Sequence, residues 1–247
     1  MKLTALGTSG GFAGKNDGCS SYLLTAGAKN YLIDLGPGSL SELQNHIGYR
    51  ELDAVFISHL HADHVSDIYT FRFAVFAAQK EGSMPPSLPL YMPGQPEETF
   101  TFIRSNIEEQ FNITVLTPDS RLELDGMVVQ FLCTQHSLPA HAMRFEHRGK
   151  VFVYTADTSL FDGLVSFCAN ADLLLAEATL QDKDRDLESM GHMTAATAGK
   201  LARRANAERL LLTHFWPEYD RSISLSEARE SFPGQIDLAE RGLVFHI

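Results

Sequence analysis

Cysteine is scarce in this sequence: its 247 residues include only Cys19, Cys133 and Cys168, and the three are widely spaced. An odd number of distant cysteines excludes a fully paired disulfide framework of the kind that small secreted domains use. We therefore expect three buried free thiols, with Cys133 in the core of an apolar strand. Free thiols indicate a reducing compartment, and the cytoplasm is the simplest location.

Long apolar stretches are also lacking, and none is sufficient to cross a membrane. Residues 1–7 run directly into a glycine-rich turn and contain no apolar core of the length that a signal peptide needs. We therefore predict neither a membrane span nor a secretory leader, and no membrane partner.

Basic residues are few, with 20 Lys and Arg against 31 Asp and Glu, so the net charge is −11. This charge disfavours nucleic acid as a partner, because broad binding to it depends on basic surface. Hydrophobic residues make up 44% of the chain and charged residues 21%, as in an ordinary globular protein. A local cationic site stays compatible with these values, since bound divalent ions can be the largest charges in a cleft.

The densest chemical signal is the run His-Leu-His-Ala-Asp-His at residues 59–64, in which four side chains can ligate a metal. The preceding residues, 52–58, are typical of a buried strand, so the run lies at the rim of a sheet. In an extended loop His59, His61 and Asp63 point to one side, because side chains alternate. The turn that follows can return His64 to a nearby point. The run therefore predicts ligands for two adjacent metal ions.

Three later residues, His136, Asp157 and His214, each follow an apolar segment in the same way. A pair of metal ions needs more than four ligands, and a carboxylate can bridge two ions, so Asp157 is the natural bridge. Asp34 also ends a predicted strand, and two interpretations of it stay open. It either caps the glycine turn that follows, or it orients a metal-bound imidazole.

The order of elements predicts one domain, residues 1–247, because no linker, low-complexity segment or repeat divides the chain. Strands come in two groups, each followed by helices, which favours two packed sheets with helices outside. We predict helices over Ser39–Ile47, with Ser39 as N-cap, and over Val65–Lys80, and a charged loop over Gln181–Gly191. The second helix is apolar on more than one face, which is typical of core packing or of a homodimer interface.

The ligand series of residues 59–64, His136, Asp157 and His214 resembles that of the metallo-β-lactamase superfamily, in particular its ribonuclease Z-like branch. The resemblance covers essentially the whole chain. It implies an α/β fold, an αββα sandwich of two mixed β-sheets packed face to face with helices outside. It also implies one metal held by His59, His61 and His136 and another held by Asp63, His64 and His214, with Asp157 between them. Three segments match secondary motifs of the branch: Pro139–Glu146, Ala156–Thr158 and His192–Thr194, the last with Met193 as a departure.

A larger departure concerns the arm that ribonucleases Z use to process tRNA. The family carries this arm between the ligands that match His136 and Asp157. Only 20 residues separate the two here, and they are predicted to form two strands. The chain therefore resembles arm-less relatives that hydrolyse small or cyclic phosphodiesters.

For such chemistry, two metal ions can share one water, lower its pKa and supply a hydroxide that attacks phosphorus. His192 lies outside the ligand set and is the candidate proton donor to the leaving alkoxide, with Glu177 holding its other nitrogen. Asp63 is a further candidate for proton transfer, from the attacking water. Three more residues are candidate substrate contacts, with a loop or packing role equally open for each: His141, Phe215 and Trp216.

Other functions stay open at the same site. The alternatives are a tRNA 3′-processing endonuclease and a carboxylic-ester, lactone or thioester hydrolase. A non-catalytic metal-binding protein is disfavoured by the full ligand set, and a flavodiiron protein by the second histidine of the run and the lack of a flavin domain. Histidine and aspartate ligands suit zinc, manganese and iron alike, and zinc is our first expectation.

Overall fold

Two seven-stranded β-sheets pack face to face, and the computed structural model describes the whole chain, Met1–Ile247. The first sheet has the spatial order β14 (Val244–His246), β1 (Lys2–Gly7), β2 (Ser21–Ala26), β3 (Lys29–Ile33), β4 (Ala54–Phe56), β5 (Leu88–Pro93), β6 (Phe111–Leu116). The second sheet has the order β13 (Gln235–Leu238), β12 (Arg209–Thr213), β11 (Leu173–Glu177), β10 (Lys150–Tyr154), β9 (His141–His147), β8 (Met127–Cys133), β7 (Arg121–Leu124).

Helices cover the outer face of each sheet. They are α1 (Ser39–Leu43), α2 (Ala62–Val65), α3 (Ile68–Lys80), α4 (Glu97–Ile107), α5 (Asp162–Phe167), α6 (Ala195–Arg204) and α7 (Arg221–Ser231), with 3₁₀ turns at Tyr49–Glu51 and Asp182–Met190. One apolar cluster fills the space between the sheets, and two more lie between a sheet and its helices. The predicted αββα sandwich is confirmed. No helix has the length and apolar character that a membrane crossing requires.

Parallel strands bring the candidate site residues to one edge of the sandwich. Strands β3 to β6 are parallel to one another, as are β10 to β13. Parallel strands end at a common edge of their sheet, and the segments that follow them meet there. The strands β3, β4, β10 and β12 are followed by Asp34, His59, Asp157 and His214. The sandwich therefore gathers at one edge the residues that its sequence places far apart.

Several predicted boundaries were wrong. The first predicted helix ends at Leu43, and Gly38, not Ser39, is its N-cap, because the Ser39 hydroxyl donates back to the Gly36 carbonyl. The predicted helix Val65–Lys80 is two helices, since the chain between α2 and α3 is held by the Asp67 amide donating to the Leu35 carbonyl. The predicted charged loop after Gln181 forms 3₁₀ turns.

Two further expectations need correction. Cys19 and Cys168 are buried, but Cys133 is exposed, because it is the last residue of β8 and reaches the open edge of the sandwich. Strand β13 was not predicted, since only Ile236 among its four residues is buried and no alternation marks it.

Helix α3 has one buried and one exposed apolar face. Phe71 and Val75 are buried, whereas Phe73 and Phe76 are 61% and 45% exposed. The buried face accounts for packing against the first sheet. A homodimer through the exposed face stays a prediction.

Candidate metal centre

The edge that the strand ends share carries a compact cluster of imidazoles and carboxylates. The chain leaves β4 through Ile57 and Ser58, reaches His59 and His61 in extended conformation, and then turns into α2, with His61 as its N-cap. This short helix carries Asp63 and His64 toward His214, while the ring centroid of His64 stays 4.0 Å from that of His59. The run therefore feeds two neighbouring groups. The expectation that Asp63 points to the same side as His59 and His61 was wrong, because helix α2 begins at Ala62 and ends the alternation there.

The first group consists of His59, His61, His136 and Asp157. The Nδ1 atom of His61 lies 3.0 Å from the Nε2 atoms of both His59 and His136. Asp157 Oδ2 lies 3.6 Å from His59 Nε2 and 3.8 Å from His136 Nε2. Three nitrogens and one oxygen thus converge, and ligands of a tetrahedral zinc ion with bonds of about 2.0–2.1 Å are spaced similarly.

The second group consists of Asp63, His64 and His214. The Nε2 atoms of the two histidines are 3.1 Å apart, and Asp63 Oδ2 lies 3.3 Å from that of His214. Asp157 reaches this group with its other oxygen, because Oδ1 lies 3.4 Å from Nε2 of both His64 and His214. The Asp157 carboxylate therefore faces each group with one oxygen, and this buried Oδ1 has no hydrogen-bond partner.

Hydrogen bonds on the outer side of the rings set the tautomers. His64 Nδ1 lies 2.8 Å from Asp34 Oδ2, and His136 Nδ1 lies 2.9 Å from the Gly191 carbonyl, which can only accept. His214 Nδ1 donates to the Thr179 hydroxyl at 2.8 Å, and that hydroxyl donates in turn to Glu177 Oε2 at 2.5 Å. With the proton on Nδ1, each neutral ring turns the lone pair of Nε2 into the cluster. Such an arrangement favours a bound cation, because converging lone pairs repel one another.

The carboxylates around these rings carry more negative charge than fixed cations can balance. Asp34, Asp63, Asp157 and Glu177 are buried, and their ion-pair partners are histidines rather than Lys or Arg. Burial of anions without balancing charge is costly, so the donor set fits divalent cations.

Most of the expected protonation states agree with metal binding, and His64 is the exception. Burial lowers the pKa of His64, but the carboxylates of Asp157 and Asp63 outweigh it and raise that pKa well above the ordinary value. A bound cation would displace the proton that these carboxylates favour.

Burial raises the pKa of the Asp63 and Asp157 carboxyls, but the neighbouring imidazoles outweigh it and hold both pKa values well below the ordinary range. Burial lowers the pKa of His59, His61 and His136, which favours neutral rings near pH 7. Ionised carboxylates and neutral imidazoles are the forms that ligate metals.

His192 stands beside both groups, and the sequence-predicted contact with Glu177 is present. Its Nδ1 atom lies 3.0 Å from Glu177 Oε1, and its ring packs against those of His136 and His214. Burial lowers the pKa of His192, but the Glu177 carboxylate raises it more strongly, to about 9. The His192 side chain keeps 23% of its surface exposed, so it can reach a bound molecule.

The glycine-rich turn at residues 7–11, which follows β1, packs against the second group. The Gly11 amide donates to Asp63 Oδ2 at 2.6 Å, so a backbone amide of this turn holds a carboxylate of the second group. A Cβ atom on Gly10 would lie 2.6 Å from His214 Nδ1, so only glycine allows the loop to pass this close to the ring.

Some sequence-predicted residues lie differently from expectation. Of the two roles open for Asp34, its contacts favour the second, since its carboxylate accepts from His64 and from the Ser58 amide. His141 is not in a loop: it begins β9 and is only 3% exposed, and its amide supports the ligand run by donating to the Ser58 carbonyl. Phe215 is buried in the outer core of the second sheet, whereas Trp216 is partly exposed.

Residues that the sequence reasoning missed hold the predicted ones in place. The Ser58 hydroxyl and the Tyr154 hydroxyl both donate to Asp34 Oδ2, at 2.8 and 2.9 Å. Thr179 links His214 to Glu177, and Gly191 orients His136. Only the position of Ser58, directly before the ligand run, offered a signal.

The chain matches the family model described as the β-lactamase superfamily domain over residues 29–215. It is also 35% identical to the probable metallo-hydrolase YhfI of Bacillus subtilis over 246 residues, which cover 99% of each protein. The chain belongs to the metallo-β-lactamase superfamily. The protein is therefore similar throughout its length to a metallo-hydrolase, and its histidine and aspartate groups are placed to bind metal.

Solved structures and a more distant relative place the chain within this superfamily. The crystal structure of B. subtilis YhfI superposes with a TM-score of 0.93, at 34% identity and with 99% and 98% of the two chains covered. Ribonuclease Z of Haloarcula marismortui is 26% identical in an alignment of 306 positions, gaps included, which covers 98% of this chain and 96% of that one. A diphosphatase of the PhnP family shares the fold, with a TM-score of 0.78, 21% identity and coverage of 100% and 97%.

The contact between Asp34 and His64 generates a prediction for metal binding. Asp34→Asn keeps the size of the side chain but removes its charge and places an amide near the His64 Nδ1 proton. We expect metal affinity to fall roughly 10- to 100-fold, the usual loss when a partner of a ligand is removed. Competition with a chelator of known affinity measures the change. Asp53→Asn is the control, because Asp53 lies at the opposite end of the same sheet and pairs with Lys29. Equal affinities in the two variants would remove the orienting role from Asp34.

Proposed function

We propose that the protein is a phosphodiesterase that hydrolyses small or cyclic phosphodiesters at a centre of two divalent metal ions. The observation that carries this proposal is the placement of Asp157 and His192. One carboxylate divides its oxygens between two nitrogen groups, and a histidine outside the ligand set stands beside both groups.

Seven side chains would hold the ions, which we expect to be zinc, with manganese or iron as alternatives. His59, His61 and His136 would bind one ion, Asp63, His64 and His214 the other, and Asp157 both. When bound, two such ions lower the pKa of a coordinated water and neutralise charge on the phosphate oxygens.

His192 is the candidate general acid. Its Nδ1 atom is bonded to Glu177, which leaves Nε2 to donate a proton to the leaving alkoxide of the substrate. The elevated pKa keeps the ring protonated near pH 7, and nearby divalent cations would lower that pKa toward the working pH of a general acid. Glu177 also accepts from the Thr158 amide at 2.9 Å, so its carboxylate is fixed before substrate binds.

Asp63 is better placed as a ligand than as a proton acceptor. Its Oδ2 atom already accepts from the Gly11 amide, and its pKa lies well below the ordinary range because of the imidazoles beside it. A carboxylate of such low basicity takes up a proton poorly. We therefore assign its primary role to metal binding.

Two features support small substrates over tRNA. The segment from His136 to Asp157 forms the tight hairpin β9–β10, joined by Arg148 and Gly149, and leaves no room for an arm. In the turns after Gln181, the ammonium group of Lys183 lies over the Tyr219 ring at 3.9 Å, and Arg185 is bonded to Asp182 at 2.9 Å. Both cations are engaged locally, and the chain as a whole carries −11 charges.

Two other functions remain candidates. Similarity to ribonuclease Z favours tRNA 3′-processing, since that relative covers nearly the whole chain. A carboxylic-ester or lactone hydrolase could use the same metals. A protonated His192 favours phosphodiester chemistry, in which an alkoxide leaving group needs a proton. The names of two similar proteins, a ribonuclease and a diphosphatase, likewise indicate reactions at phosphorus.

The number of ions is testable by elemental analysis. Protein purified without chelator and reconstituted with zinc or manganese should contain close to two metal ions per chain, because seven ligands exceed the needs of one four-coordinate ion. Asp157→Ala should lower occupancy at both positions. Asp162→Ala, which removes an exposed carboxylate, serves as the control. A reproducible value of one ion or fewer in the unmodified protein would overturn the two-metal assignment.

The role of His192 is testable with paired substrates. His192→Ala should keep its metals and lose roughly 10²–10⁴-fold in kcat on an ester with an alkoxide leaving group, the usual contribution of acid catalysis. The loss should be much smaller with a nitrophenolate leaving group, which scarcely needs a proton. An equal loss on both esters, or loss of metal from the variant, would contradict the assignment.

The substrate class is testable by direct competition at physiological salt. We expect turnover of bis-nitrophenyl phosphate and of cyclic phosphates, and little or no cleavage of a 3′-extended tRNA precursor. The physical reason is the lack of an arm and of basic surface, on which binding of a polyanion depends. Site-specific release of the tRNA trailer without turnover of the small esters would show that the protein is a ribonuclease Z. Turnover of lactones or thioesters alone would favour the third candidate.

A further inference from the structure

An exposed aromatic pair lies beside the second metal-binding group. The Phe12 ring is 45% exposed and meets the Trp216 ring edge to face, with 5.2 Å between the ring centroids. Trp216 is the only tryptophan of the chain and is partly buried. The Trp216 indole N–H donates to Glu218 Oε2 at 3.2 Å, so neither ring forms a hydrogen bond with a candidate ligand or with a residue that orients one.

Backbone connections place this pair next to the reacting centre. Gly11, the neighbour of Phe12, donates its amide to Asp63 Oδ2 at 2.6 Å. Because consecutive Cα atoms are about 3.8 Å apart, the Phe12 Cα lies within roughly 8 Å of that carboxylate oxygen. Trp216 follows the ligand His214 by two residues, and a Cβ atom on Gly11 would touch its ring at 3.2 Å. The two segments that carry the aromatic side chains therefore both contact the second group.

The loop that carries Phe12 is anchored on both sides. The Asp17 carboxylate accepts from the hydroxyls of Thr8 and Ser9, at 2.7 and 3.0 Å, and forms an ion pair with Arg221 at 2.8 Å. The Gly10 amide donates to the Phe215 carbonyl, and the Gly14 amide donates to the Ser9 hydroxyl. Phe12 is thus an apolar side chain presented to solvent by a fixed backbone. A rigid aromatic surface loses little conformational entropy when a planar group stacks on it.

We propose that Phe12, supported from behind by Trp216, stacks on the nucleobase of a small nucleoside phosphodiester whose phosphate lies at the metal centre. The inference rests on the proposed function and narrows it from phosphodiesters in general to those that carry a planar heterocyclic base. Stacking binds the base through its face and needs no charged group on the protein.

The first test compares two substrates with the same reacting ring, adenosine 2′,3′-cyclic phosphate and glycerol 1,2-cyclic phosphate. In Phe12→Ala the ratio of kcat/KM for the adenosine substrate over the glycerol substrate should fall roughly 5- to 100-fold, the range of one base–aromatic stack. Phe12→Trp should restore the ratio, and Phe12→Leu should not. Phe76→Ala, which removes a phenylalanine of equal exposure from helix α3, should leave the ratio unchanged.

The second test measures binding without turnover and uses the fluorescence of the single tryptophan. Adenosine 5′-monophosphate should quench or shift the emission of the metal-loaded protein, whereas ribose 5-phosphate should not. Phe12→Ala should weaken the response to the adenosine nucleotide by a similar factor and preserve the metal content.

The outcomes distinguish failure of the base-stacking proposal from failure of the proposed phosphodiesterase function. An unchanged substrate ratio in Phe12→Ala, together with equal responses to the two monophosphates, would overturn base stacking and leave the phosphodiesterase standing. Failure of the unmodified protein to hydrolyse either cyclic phosphate would overturn the proposed function, and the stacking site with it. Quenching only by a tRNA 3′ end would identify the aromatic pair with a macromolecular substrate and overturn the small-nucleotide assignment.

Discussion

The Asp157 carboxylate faces two sets of imidazole nitrogens at once, and much of the surrounding structure holds it and its partners in that relation. Its two oxygens lie 3.4–3.8 Å from four different rings. Each of these contacts places a carboxylate oxygen near an imidazole nitrogen. Where that nitrogen carries a lone pair, the two atoms repel unless a cation lies between them. The stability of this arrangement must therefore come from outside the cluster. It comes from Asp34, Thr179 and the Gly191 carbonyl, which fix the far sides of the rings.

The backbone is strained at three of the turns that bring these side chains together. Asp34, Ala156 and His214 all adopt left-handed conformations, with φ of 56°, 50° and 55°, at the ends of three strands. Non-glycine residues adopt this conformation at a cost on the order of 1 kcal/mol or more. Each turn redirects the chain at the point where a functional side chain must face the cluster. Buried strands such as β10 and β12 directly precede these turns and fix the direction from which the backbone enters them.

The parts of the fold and of the candidate site that could be predicted are those that produce a recognisable pattern in the sequence. The seven candidate ligands follow apolar strands, so alternation and strand ends sufficed to find them, and the resemblance supplied their grouping. Thr179 and Tyr154 could not be found in this way, because a single polar residue in a buried segment has no period and its partner lies far along the chain. The burial of Cys133 and the location of His141 were predicted wrongly for a related reason. Both lie where β8 and β9 reach the edge of the sandwich, and exposure there depends on the opposite sheet, not on local sequence.

The division of the ligands between the sheets bears on how the centre assembles. The first sheet supplies the run that begins at His59, whereas the second supplies His136, Asp157 and His214, and His64 meets His214 across 150 residues of chain. Closing so long a loop is entropically costly, and neither half of the chain offers a complete ligand set by itself. The ligand set is therefore complete only where the two sheets are packed together. A metal ion bound between the two groups would link one sheet to the other and stabilise their packing.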